Sequence, residues 1–268
     1  MAIPRTFLDW SQPALPQAAD WLIRDARMMS HVDLSNTIVV VPGKRAGRRL
    51  LELLIERTQQ HGWRFSRPTV TTVGQLPELL YEPKFPFASE LVQRLAWTHA
   101  LRRTDRRELS RVIPKLPDEK DDARWLELGE LLSKQHRELA ADGLNFADVA
   151  EKGVRRESRR WSVLRTVQES YLRLLDDLAL WDLQTARLFA IEHREFAAES
   201  SLRASASIVL LGTVDMNVAT RHVVEQIADR VTVLIHAPET EKSGFDKLGR
   251  LRTDKWTTRA IPIRDEQL

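Results

Sequence analysis

The run Thr37-Ile38-Val39-Val40-Val41, closed by Pro42-Gly43, constrains this chain more than any other segment. Five consecutive β-branched residues leave no polar face, so the run reads as a strand buried on both sides, as in a parallel sheet. From Ala46 the apolar residues Leu50, Leu51, Leu54 and Ile55 recur at helical spacing until His61-Gly62. A strand that feeds a helix through a tight turn is the first half of a βαβ unit.

The same signal recurs. Thr69-Val70-Thr71-Thr72-Val73 is a second strand candidate, followed by Leu76, Leu79 and Leu80 on a short helix. Near the other end, Ser207–Leu211 with Gly212 and Val231–Ile235 flank a helix over Arg221–Ala228. Between Phe87 and Ala198 the pattern turns helical, with helices predicted at Ser89–Arg102, Asp121–Ala141, Arg159–Leu180 and Leu183–Phe196. Pro114-Lys115-Leu116-Pro117 and Asp142-Gly143 break them, and Asp182 is placed to cap the last. The expected architecture is α/β: residues 1–86 and 199–268 form a parallel sheet domain, and residues 87–198 an all-α insertion. The tail from Ser243 ends without an apolar element that would close a fold, which reads as a cut.

With 268 residues the chain has room for one or two domains. Its 43% hydrophobic and 29% charged residues suit a folded globular protein. No apolar run reaches membrane-spanning length, and no leader follows Met1, so the expected place is the cytoplasm, with no membrane partner. The absence of cysteine excludes disulfides, thiol catalysis and cysteine-ligated metals. The net charge is 41 − 38 = +3, but the cations divide into 32 Arg and 9 Lys. Arginine grips phosphate bidentately, which hints at nucleic acid; a genome rich in arginine codons gives the same count.

The most informative segment is Val41-Pro42-Gly43-Lys44-Arg45-Ala46-Gly47-Arg48-Arg49. A strand end running into a helix start is where backbone N–H groups and the helix dipole favour an anion. A P-loop needs a glycine five residues before its Gly-Lys and a Ser or Thr after it; here those positions hold Ile38 and Arg45. ATP with magnesium is therefore disfavoured, and no cofactor is expected. Lys44, Arg45, Arg48 and Arg49 nonetheless crowd the positive end of a helix, where like charges repel by ~0.2–0.5 kcal/mol per i,i+4 pair. Either an anion relieves them, or they form a solvated face with Arg48 paired to Glu52.

Two further basic stretches lie in the helical middle: Arg102-Arg103-Thr104-Asp105-Arg106-Arg107, and Lys152 to Arg165 with Trp161 inside it. Basic residues around an aromatic can hold a phosphate backbone and stack a base. Trp161, Leu164, Val167 and Tyr171 share helical spacing, however, which favours core over stacking platform. Asp215 lies too far past its strand to serve as a metal-binding acid and reads as a turn or cap. The seven histidines show no ligand spacing, so no metal site is expected, and no Gly-x-Ser-x-Gly elbow is present.

Taken in order, the strand into Val-Pro-Gly-Lys-Arg-Ala-Gly-Arg-Arg-Leu, Thr71–Leu76, the helical insertion, Leu210–Thr213, Val233–Pro238, Phe245–Arg250 and Trp256 resemble the N-terminal region of AddB-type subunits of helicase–nuclease complexes. The resemblance implies a P-loop-NTPase-like sheet of the superfamily 1 helicase type, domain 1A, with a helical 1B domain inserted and a degenerate ATP site. It sets Gly43, Lys44, Arg45, Arg48 and Arg49 at motif I, for phosphate or DNA backbone. Thr71, Thr72 and Gln75 then stand at motif Ia, which contacts single-stranded DNA, and Gly212 stands where the Walker B acid would be. The implied role is a noncatalytic DNA-engaging scaffold in recombinational repair, partnered by an AddA-like helicase subunit. The family's second helicase-like half and its nuclease are not in this sequence, so no nuclease residue is carried over. An atypical P-loop ATPase and a ligand-free interaction module are the alternatives.

Overall fold

The computed structural model describes residues 3–153, 157–197 and 204–257. They divide into two compact units. The sheet unit takes the described residues up to Leu80, those of Phe196–Met216 and those from Thr220; the helical unit takes Tyr81–Glu195 with Asn217–Ala219. The first division thus falls at 80/81 where the sequence set it at 86/87, and the expected boundary at 198/199 lies outside the described residues.

The sheet unit begins with β1 (Arg5–Leu8), α1 (Ala14–Ala26), β2 (Arg27–Met28) and β3 (His31–Asp33). It continues through β4 (Thr37–Val41), α2 (Lys44–Gln60), β5 (Arg64–Ser66) and β6 (Thr69–Thr72). The helical unit holds α3 (Glu90–Arg103), α4 (Arg106–Leu109), α5 (Asp122–Ala141), α6 (Phe146–Lys152), α7 (Ser158–Asp177) and α8 (Leu183–Glu192). The chain then runs through β7 (Ser207–Leu211), α9 (Val218–Gln226), β8 (Val231–His236) and α10 (Thr253–Trp256).

Five strands form one wholly parallel sheet in the order β1-β8-β7-β4-β6. All four strands read from the sequence are in it. Register explains their continuous apolar runs: Val39 lies beside Val209, and Leu211 beside Leu234, on the face covered by α1 and α2. Their alternates Ile38, Val40, Ile208, Leu210 and Val233 are buried on the other face. From α1 come Ala18, Ala19, Leu22 and Ile23, and from α2 Leu50, Leu53 and Leu54. Each fully buried leucine contributes ~1.5–3 kcal/mol. A smaller sheet, β2-β3-β5, stands beside it. In place of a short α-helix there are two 3₁₀ turns, Val73–Gln75 and Pro77–Leu79, with Leu79 on the second and Leu76 and Leu80 flanking it; Pro77 cannot donate the bond that would join them.

The helical unit is built around stacked aromatics. The rings of Trp97 and Tyr171 lie 4.1 Å apart at 11°, with Phe146 and Trp125 also fully buried. Trp161 is half-buried and meets Phe146 edge-on at 5.9 Å, joining the core rather than standing free. Helix α3 approaches α5 at Gly129, where a Cβ would stand 2.5 Å from the Thr98 hydroxyl. Asp182 caps α8 by accepting from the amides of Gln184 and Thr185 at 2.9 and 3.0 Å.

Asp182 also accepts from a buried imidazole. His136 Nε2 lies 3.1 Å from Asp182 Oδ1, and Gln168 Nε2 lies 2.9 Å from His136 Nδ1. Gln168 Oε1 accepts from the Phe146 amide, so its amide nitrogen is the donor to Nδ1. With Nδ1 accepting from Gln168, it is the Nε2–H that donates to the carboxylate. Burial alone would raise the Asp182 carboxyl, but the hydrogen bond and the charge interaction with His136, joined by hydrogen bonds from Thr185, outweigh it and hold the group below its ordinary range.

Candidate phosphate-binding edge of the sheet

Strand order creates one special place on the sheet. From β4 the chain passes to β6 on one side; it returns as β7 on the other side of β4 and continues to β8. The connections therefore diverge at the adjacent carboxyl ends of β4 and β7, and open α/β sheets bind ligands at such a switch point. Pro42-Gly43 leaves β4 there, and Gly212-Thr213 leaves β7.

Gly43 is the N-cap of α2, and no side chain accepts from the amides of its first turn. The first turn also holds no acid, so its donors and its dipole are uncompensated by protein. A Cβ on Gly43 would meet nothing within 4 Å, which leaves the backbone open to close approach. Gly47 is different. It is buried, and a Cβ there would stand 2.8 Å from Val70 Cγ1 and 3.3 Å from Val41 Cγ2, so this glycine lets α2 lie close on β4 and β6.

Lys44, Arg45, Arg48 and Arg49 are all exposed on α2. The expected Arg48–Glu52 pair is not the one formed. Arg49 takes Glu52 at 3.0 Å and Glu56 at 3.2 Å, because one guanidinium fork can serve carboxylates one and two turns along the same face. These two carboxylates hold the Arg49 guanidinium protonated above its ordinary value. Lys44, Arg45 and Arg48 have no ion pair among the described residues.

Of the motif Ia residues, Thr71 is buried, 8% exposed and beside Val40 in register. Thr72 and Gln75 reach the surface, where the Thr72 hydroxyl donates to Gln75 Oε1 at 3.2 Å. The surface presented next to β4 is therefore Thr72 and Gln75, not Thr71. Gly212 takes a positive φ of 61° as the chain leaves β7. Thr213 beside it went unremarked in the sequence: it is 3% exposed, and its hydroxyl has no partner among the described residues. Its position directly after a buried strand at a sheet's carboxyl edge is the signal that could have found it. Asp215 accepts from the Met216 amide at 2.8 Å, the turn role read for it.

Of the third basic stretch, Arg155 and Arg156 lie outside the described residues. Arg160 pairs with Glu157 at 3.1 Å, and Arg165 with Glu169 at 2.7 Å. Among the described residues no group of three or more His, Asp or Glu could hold a metal, and no helix is long and apolar enough to cross a membrane. No protein-family model matches the chain, and no curated protein does.

The arrangement at the sheet edge can bind an oxyanion through first-turn amides and three uncommitted cations. It brings no acid from β7 to the place where a metal or an attacking water would be held.

Proposed function

We propose that the chain is a noncatalytic, DNA-engaging α/β region with a helical insertion, of the P-loop-NTPase-like, superfamily 1 helicase type found in AddB-like subunits. Single-stranded DNA runs along the carboxyl edge of the sheet. Lys44, Arg45 and Arg48 contact its phosphates, with Thr72 and Gln75 beside them. Its partners in this reading are DNA and an AddA-like helicase subunit, in the cytoplasm. Catalysis resides elsewhere in the complex.

One observation carries the reading: three cations without an ion pair, Lys44 and Arg45 on the first turn and Arg48 at the start of the second, stand on an uncapped helix at the switch point of a parallel α/β sheet. Positive charge there costs stability unless an anion is bound. The same edge lacks what nucleotide hydrolysis needs, since Arg45 replaces the metal-holding Ser or Thr and Gly212-Thr213 replaces the acid. That contrast favours a polyanion over a nucleotide-metal complex. The test is anisotropy of a labelled oligothymidine titrated with the chain across a salt series. Binding supports the reading, and absence of binding at low salt rejects it.

A further inference from the structure

An arginine of the second basic stretch and one from beyond the third, seventy residues apart in sequence, line one groove on the helical unit. Arg103, in the last turn of α3, and Arg173, on α7, line a groove of about 280 Å³. The wall between them is Ser162, Thr166 and Ser170. These three follow one another at intervals of four, and Arg173 follows three residues later, so all four share one face of α7. Exposed Arg159 stands on that face one turn before Ser162.

The groups in this groove differ sharply in how committed they are. Thr166 donates to the Ser162 carbonyl at 3.2 Å. The Ser162 and Ser170 hydroxyls have no hydrogen-bond partner among the described residues, and neither Arg103 nor Arg173 has an ion pair or hydrogen bond there. Two acids also line the groove, and both are occupied. Asp105 caps α4, its Oδ1 accepting from the amides of Arg107 and Glu108 at 2.8 and 3.2 Å, and Glu108 pairs with Arg111. Beside these two partnered carboxylates the groove offers two guanidinium forks from two helices and a row of hydroxyls.

The geometry points to a second phosphate-binding site, in which Arg103 and Arg173 grip the non-bridging oxygens of one phosphate group while Ser162 and Ser170 donate to them. Planar forks match tetrahedral oxyanions bidentately, and short hydroxyl side chains are regular phosphate contacts. In a DNA-engaging chain that phosphate is a backbone phosphodiester. This source rests on the reading proposed above, whereas the phosphate chemistry of the groove does not.

The test has two arms, both on the full chain. Inorganic phosphate is titrated while the backbone amides of α7 are followed by NMR; shifts that saturate at Thr166 and Ser170 are expected, and are lost in Arg103→Gln/Arg173→Gln. In the second arm, the same double change should weaken labelled oligothymidine binding roughly tenfold, the loss of one charge-assisted phosphate contact. It should also make the log–log salt slope shallower by about 0.7. Lys134→Gln/Arg137→Gln, on exposed positions of α5, controls for general charge and should change neither. Ser162→Ala/Ser170→Ala removes the two donating hydroxyls with no charge change and should weaken phosphate binding without lowering the melting temperature. If phosphate shifts α7 but no DNA binds, the groove stands with free phosphate as its ligand and the DNA reading falls. If DNA binds equally well to wild type and Arg103→Gln/Arg173→Gln, and phosphate leaves α7 unmoved, the groove is overturned while the DNA reading survives.

Discussion

Gly47 lies so close to Val70 that a Cβ placed on it would stand 2.8 Å from the valine Cγ1. The contact sets the depth at which α2 rides on β4 and β6, and with it the height of the helix's first turn above the sheet edge. Gly47→Ala should therefore cost about 1–3 kcal/mol by overpacking, read as a lower urea midpoint. Gly43→Ala, with nothing within 4 Å and an extended φ of −165°, should cost less than Gly47→Ala. Equal losses at the two positions would contradict this account of the helix–sheet contact.

The buried Asp182–His136–Gln168 chain predicts a pH effect with a definite sign. The Asp182 carboxyl is held below its ordinary range in the folded protein, so its contribution is present above the unfolded value and is lost as pH falls through the folded one. Asp182→Ala removes a helix cap and leaves the His136 donor unsatisfied, and should destabilise by about 3 kcal/mol at pH 7. The gap between wild type and variant should begin to close as the pH drops below ~4, the unfolded value, and go on closing until the pH passes the lower folded value, where the wild-type carboxyl is protonated. Urea melts at pH 7, 5 and 3 read this directly; a gap that widens in acid would refute the assignment.

Magnesium-dependent ATP turnover should be absent in the purified chain, with or without single-stranded DNA. Coupled-enzyme assays measure it. Turnover that Lys44→Ala abolishes would move the sheet edge from a polyanion site to an atypical nucleotide site.

Burial geometry decided how much of this could be read in advance. β4, β6, β7 and β8 were legible because burial on both faces, or against a neighbour, leaves nearly unbroken apolar or β-branched runs such as Ile38–Val41. β1 was not: in Arg5-Thr6-Phe7-Leu8, at the sheet edge, only Leu8 is buried, so no period emerges. α1 escaped notice because Pro13 and Pro16 mark its start and two of its four buried residues are alanines, which carry little hydrophobic signal. The three short strands β2, β3 and β5 have two or three residues each, too few to show alternation. At the site, the crowding of cations on α2 was visible in sequence, whereas the choice of Arg49 over Arg48 as the ion-paired one was not. That choice depends on Glu52 and Glu56 lying together along a face, and on Glu52 having one partner to give. The convergence of Arg103 with Arg173 is tertiary, and no local pattern announces it.

The central claim is that Lys44, Arg45 and Arg48 are uncommitted because they await phosphate, and the salt dependence of oligothymidine binding tests it most directly. Three phosphates neutralised on a single strand give a log–log slope of about −2, with any contact from the helical unit adding to it. Arg45→Glu/Arg48→Glu should flatten that slope by at least 1.4, two phosphates' worth, and weaken binding at low salt. Its melting temperature should equal or exceed that of wild type, because repulsion at the helix start is relieved and acids complement the dipole. An unchanged slope together with unchanged affinity in this variant would show that the first turn of α2 is a solvated helix start, and the DNA-engaging account of the sheet edge would fall.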